Sequence, residues 1–193
     1  MAIDPRRFLR FNVADTCSIW NILSSALLYS RASEHGCMFC CTEYVRYECL
    51  TKPRKASYSC ESKLQSVAHR EMDAGRIKLC SVEIEDLQQV SALADRKRLH
   101  RGELSTIAFA FRTGQAVLTD DQAARHFAFN LMGLSVQTVP HLLAWLVHGG
   151  RVSDGECEDL IVEHAAAGRP LAGHLRIAVK LARECLLQDY TAT

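Results

Sequence analysis

Five short apolar runs punctuate the chain, and after each one apolar residues recur at helical spacing. The runs are FNVAD (11–15), CMFCC (37–41), IKLCSVEI (77–84), QAVLT (115–119) and LSVQTV (134–139). Runs of this length, closed by polar or glycine-bearing segments, suit strands buried on both faces. SIWNILSSALLYSR carries Ile19, Ile22, Leu23, Ala26 and Leu27 on one helical face, so a single helix is predicted after the first strand. TEYVRYECL (42–50) is a short helix that Thr42 is placed to cap, and Lys52, Pro53, Arg54 and Lys55 then break the pattern. Residues 59–75 read as helix, and EDLQQVSALADRKRL ends in cations that suit a helix's negative pole. GELSTIAFAFRTG (102–114) places Leu104, Ile107, Ala108 and Phe111 on one face and Gly114 at the stop. DQAARHFAFNLMG repeats the device with Ala124, Phe127, Ala128, Leu131 and Gly133. Pro140 suits the first turn of a helix closed by Gly149 and Gly150. Ser153 and Glu156 then stand at capping-box spacing, and a last helix runs through residues 171–188. Strands alternating with helices require right-handed crossovers and a mainly parallel sheet covered on both faces. The fold class is therefore α/β, an α/β/α sandwich with about five strands.

Composition agrees with one globular unit: 193 residues, 48% hydrophobic against 23% charged. The net charge of +1 decides nothing about partners, because it averages over local clusters. MAIDPRRFLRF lacks the apolar core of a signal peptide, and no stretch approaches the roughly 20 apolar residues needed to span a bilayer. A cytoplasmic protein without membrane contact is expected. Its nine cysteines are then expected to be reduced, many serving as small core residues. Cys37, Cys40 and Cys41 offer a C-x-x-C spacing, but a structural zinc site needs four ligands and no second paired knuckle follows. On a strand Cys40 and Cys41 diverge to opposite faces, which favours core packing.

In parallel sheets of this class ligands collect beyond the carboxyl ends of the strands. Asp15 ends the first run and Asp120 and Asp121 end the fourth, while Glu48 lies on the short helix after the second. Glu103 opens the helix that enters the fourth strand, and such a helix normally starts at the opposite pole. Periodicity therefore gathers only part of an acid cluster. Each acid also has a purely structural role available, since carboxylates at a helix start accept free backbone N–H groups and favour the positive end of its dipole.

Four segments in order resemble the PIN domains, metal-dependent nucleases of the PilT N-terminus type. FNVADTCSI is similar to their opening strand with its "DTS" or "DTN" signature, with Cys17 departing from the usual form. VRYECL resembles the second acidic element, RGELSTIAFAF the third, and AVLTDDQAARHFAFNLMGLSV the "DD" element of one subgroup; TVPHLLAWLVHGGRV resembles that subgroup's continuation. The resemblance spans most of residues 10–155. It implies a nuclease domain over residues 1–150, with 151–193 a C-terminal helical extension packed on it. It implies that Asp15, Glu48, Glu103 and Asp121 share one pocket as catalytic acids and metal ligands, with Asp120 a neighbour that also has a claim to the metal. Hard Mg²⁺ or Mn²⁺ ions are the implied cofactor, since they take oxygen ligands and balance clustered carboxylates. The implied reaction is RNA hydrolysis, with single-stranded DNA a further substrate, leaving a 5′-phosphate and a 3′-hydroxyl.

Thr16 or Ser105 is placed to orient a water or a carboxylate. Lys52, Arg54 and Lys55, and Arg96, Lys97, Arg98 and Arg101, form two basic groups that suit phosphates, or equally a solvated face and a helix end. Arg125, one turn past the acid pair, suits a substrate contact or an ion pair with Asp121. Many members of the family are toxins held by a cognate antitoxin, and the C-terminal helices offer a surface for a protein partner or a homo-oligomer. The competing expectation is a PIN-like subunit that holds RNA or protein without cutting; a cysteine-bound zinc module is a third.

Overall fold

Each apolar run becomes a strand: β1 (Phe11–Ala14), β2 (Met38–Thr42), β3 (Ile77–Cys80), β4 (Ala116–Leu118) and β5 (Val136–Gln137). The computed structural model describes residues 3–52, 59–94 and 99–191. Its sheet is parallel throughout in the order β3-β2-β1-β4-β5. The chain moves from β1 outward through β2 to β3, then returns to the other side of β1 for β4 and β5. The loops leaving β1 and β4 consequently part in opposite directions, and a crevice opens between two adjacent strand ends.

Helices α1 (Thr16–Leu23), α2 (Ala26–Glu34), α3 (Glu43–Leu50) and α4 (Ser59–Asp73) carry the chain from β1 to β3. α5 (Ile84–Leu93) and α6 (Arg101–Thr113) lead to β4, and α7 (Gln122–His126), continued by a π-helical turn over Phe127–Leu131, leads to β5. α8 (Val139–His148), α9 (Asp154–Ala166) and α10 (Ala172–Thr191) close the chain. The strands' two-residue period sorts their side chains into two cores. Ala14, Phe39, Cys41, Ile77 and Leu118 pack with α1–α4 and α8–α10. Val13, Cys40, Val117 and Val136 pack with α5, α6 and the π turn. The result is an α/β/α sandwich. α8 is apolar nearly all round because it lies inside the first layer; Leu142, Leu143 and Leu146 are fully buried, and truncating such a leucine to alanine costs about 2–5 kcal/mol. α10 adds Leu175, Ala178, Val179 and Ala182 to that same core.

Several boundaries depart from the periodic reading. The single helix predicted over SIWNILSSALLYSR is two: Ser25 is extended and its Oγ accepts the Leu28 N–H at 3.1 Å, which starts a new helix where the apolar pattern continues unbroken. IKLCSVEI keeps only four strand residues, because Val82 leaves the sheet edge to pack in the second core. LSVQTV keeps two, since the side chain of Thr138 caps α8. No described helix is long and apolar enough to cross a membrane. All nine cysteines are free thiols, six of them buried. Cys41 and Cys40 belong to opposite cores, as their strand register demands.

Glu103 reaches the carboxyl end of the sheet through a helical hairpin. Arg112, in the last turn of α6, pairs with Glu83 and Asp86 at the start of α5, at 3.2 and 3.3 Å. The two helices are thus antiparallel, and α6 is the one that makes the return trip. The expected opposite pole for Glu103 is corrected: a helix that enters a parallel strand runs from the carboxyl pole down to that strand's amino end, so α6 starts beside Glu48 and Thr16 and descends to β4.

Candidate active site

Asp15 terminates β1 and caps α1, accepting the Ser18 N–H at 2.8 Å and the Thr119 hydroxyl at 2.5 Å. It is 2% exposed, and burial pushes its carboxyl up to about 7 against the pull of those two donors. Asp120 lies beside it. Its carboxylate accepts Asn21 Nδ2 at 2.8 Å, the Val139 N–H at 3.0 Å and Ser18 Oγ at 3.4 Å, so three donors hold it in place. Burial raises it above the usual carboxylate range. Asp121 turns the other way and caps α7 through Oδ1, which accepts the Ala124 N–H at 2.8 Å.

Glu48 stands in the last turn of α3, where Oε2 accepts the Thr16 hydroxyl at 2.6 Å and Oε1 pairs with Lys52 at 3.2 Å. Gly102 lets α6 approach this group: a Cβ there would lie 2.4 Å from Glu48 Oε2 and 3.3 Å from Thr16 Oγ1. Glu103 follows, its Oε2 accepting the His100 N–H at 2.8 Å. Burial, then the charges of Asp121 and Glu48, raise the Glu103 carboxyl. All five sequence-derived acids therefore meet at the carboxyl end of β1, β2 and β4. They are not packed into one tight ligand set, for no three of them bring oxygens within 4.8 Å of one another.

The remaining sequence candidates divide. Thr16 and Lys52 touch Glu48. Arg101 is exposed and lines, with Tyr44, Tyr47, Glu48, Lys52 and His100, a cleft of about 530 Å³. Arg125 acts on Asp120 by charge and lines a separate groove with Phe129, His141 and His174. Ser105 is buried and shares a hydrogen bond of 2.7 Å with Thr42, docking α6 on the end of β2. Arg54, Lys55, Arg96, Lys97 and Arg98 lie outside the described residues.

Sequence reasoning missed a polar lattice behind the acids. Asn21 also accepts Arg169 Nε at 2.8 Å, so Asp120 is tied through one amide to the segment between α9 and α10. His164 accepts the Leu171 N–H on Nε2 at 3.2 Å; Nδ1 therefore carries the proton and donates to Ser24 Oγ at 2.6 Å, which donates to the Asn21 carbonyl at 2.7 Å. Burial, then Arg169, lowers His164 to about 4, so the ring is neutral. An asparagine between Trp20 and Ile22 on an otherwise apolar face was the available signal.

The donor chemistry fits a hard divalent cation. Five carboxylates offer oxygen alone, and among the described residues no ion pair joins Asp15, Glu103, Asp120 or Asp121 to a protein cation. Burial raises three of them, outweighing what Arg125 does for Asp120 and His100 for Glu103, and a bound cation would remove that cost. A family model described as a PIN domain matches residues 18–168. The chain belongs to the PIN-domain family. The match takes in Glu48, Glu103, Asp120 and Asp121 and opens three residues past Asp15. No curated protein sequence matches the chain significantly. PIN domains are generally nucleases that use divalent metals, and five carboxylates of this PIN domain lie where its sheet opens.

Proposed function

We propose that this PIN domain is a Mg²⁺- or Mn²⁺-dependent endoribonuclease. The observation that supports the reading is the convergence of Asp15, Glu48, Glu103 and Asp121, brought from four separate stretches of chain, on the crevice between β1 and β4. These four would hold the metal. Asp120, held by three protein donors, serves chiefly to fix the loop after β4 and adds negative charge beside Asp15. The cation supplies Lewis acidity toward a phosphoryl oxygen and a lowered pKa for an attacking water. The protein supplies alignment: Thr119 and the Ser18 N–H orient Asp15, Thr16 orients Glu48, and the His100 N–H orients Glu103, so each carboxylate is aimed from its own element and a bound cation would draw them the remaining distance together. Attack at phosphorus then leaves a 5′-phosphate and a 3′-hydroxyl.

The test is direct. Purified chain with Mn²⁺ should cut single-stranded RNA, EDTA should stop it, and Asp15→Asn or Glu103→Gln should lower the rate by about 100-fold or more, the scale of losing several kcal/mol of charge stabilisation. No cutting with any divalent ion, or full cutting by both variants, sinks the proposal.

A further inference from the structure

The cleft beside Glu48 carries a second kind of chemistry. In α3, Val45 and Cys49 point into the core, whereas Tyr44 and Tyr47 are 39% and 52% exposed. Tyr44 and Glu48 are four residues apart and so share a helical face, and both tyrosines line the cleft with Glu48. Lys52 stands one turn further, and His100 and Arg101, at the start of α6, form part of the same lining. The lining therefore combines two aromatic rings, the cations Lys52 and Arg101, the imidazole of His100 and two carboxylates, Glu43 at the rim and Glu48 of the site. Neither tyrosine is needed for packing, since the core beneath is closed by Val45, Cys49 and Leu64.

From this juxtaposition we propose that the cleft between α3 and the start of α6 is a subsite for single-stranded nucleic acid, in which a base stacks on Tyr44 or Tyr47 and its phosphates contact Lys52 and Arg101. The inference rests on the nuclease reading above and adds the residues that hold the strand beside the cut and its register there. Because the cleft begins at Glu48, the stacked base belongs to a nucleotide next to the one that is cut. Ring stacking accepts any base, as every base has a π face, and it selects unpaired strands because a duplex keeps its base faces covered. The cleft therefore sets strandedness more strongly than sequence.

Fluorescence anisotropy on the full chain in EDTA tests this, with labelled single strands of about 10 nucleotides, within the span of known stacking grooves, as RNA and as DNA, and an RNA duplex as control. Replacing both tyrosines by alanine should weaken single-strand binding by about tenfold or more, as a stacked base contributes about 1–3 kcal/mol. Tyr44→Phe with Tyr47→Phe should bind within about twofold of the parent, since the rings remain. Duplex binding should not respond to either pair. Parental affinity in the alanine pair, or an equal loss for duplex and single strand, overturns the subsite; the DNA arm tells whether the 2′-hydroxyl is read. The two readings fail separately. Tyrosine-dependent binding without Mn²⁺-dependent cutting keeps the subsite and removes the nuclease, while cutting whose KM ignores both tyrosines does the reverse. Because both rings are exposed, the variants should melt as the parent does, and a changed melt is resolved by the phenylalanine pair.

Discussion

Two clusters of ionisable groups in this chain are built on opposite plans. At the far end of α10, Asp189 accepts Arg6 Nη2 at 2.6 Å and lies 3.0 Å from His148 Nε2, with Cys185 beside them. These three are the one group among the described residues whose ligand atoms all fall within 4.8 Å. Yet Arg6, then His148, hold the Asp189 carboxyl below the usual range: the protein has supplied the cation itself. At the carboxyl end of the sheet the acids are more dispersed, and Asp15, Asp120 and Glu103 are all raised, chiefly by burial. Proximity alone would select the first cluster as a metal site, whereas charge balance selects the second. The comparison teaches that an acid cluster awaiting a ligand is recognised by the positive charge it lacks.

The largest effect that could break this contrast is on the buried acids. Asp15→Asn and Glu103→Gln should abolish most cutting while leaving the metal-free melting temperature unchanged or higher, because each removes a desolvated charge. A clear fall in melting temperature would show that these acids are structural in the way Asp189 is. Gly102→Ala comes next. The added methyl must displace the Glu48 carboxylate, and misplacement on the 1 Å scale costs up to about 100-fold in rate, so kcat should fall while the circular dichroism melt stays near the parent's. An unchanged kcat would remove Glu48 from the site.

A third outcome concerns pH. Asp15 in the metal-free fold keeps its proton up to about 7, whereas the unfolded chain releases it near 3.8, so its contribution to stability is complete below 3.8 and is lost as pH rises through 7. His164 acts with the opposite sign: its contribution is complete above about 6.5 and is lost as pH falls toward 4. The two slopes oppose each other in the parent. In Asp15→Asn the melting temperature should fall visibly as pH drops from 6.5 to 4, and a profile parallel to the parent's would contradict the assignment. The smallest effect is expected for Arg6→Ala, which removes an exposed pair: a slight drop in melting temperature and no change in cutting.

Much of this was legible in the sequence. Short apolar runs alternating with helical faces gave the parallel sheet, and Thr42, Gly114 and Ser153 marked helix ends through local chemistry that needs no tertiary information. Glu103 was placed by family resemblance and not by periodicity, because two helices lie between β3 and β4 and apolar spacing does not say which makes the descent; the meeting of Arg112 with Glu83, 29 residues away, and with Asp86 shows that they are antiparallel and that α6 descends. The break at Ser25 was hidden by apolar spacing that runs through it. Asn21 and Arg169 were invisible as a pair, since 148 positions separate them and neither belongs to a motif.

That last contact orders events in the life of the chain. A nascent polypeptide that has emerged through Asp121 already holds every carboxylate of the pocket, but the guanidinium that grips Asn21 arrives 48 residues later in synthesis, at Arg169. The acids are thus made first and squared up last, so a chain cut short at the end of α9 carries the charges of a nuclease without their final brace.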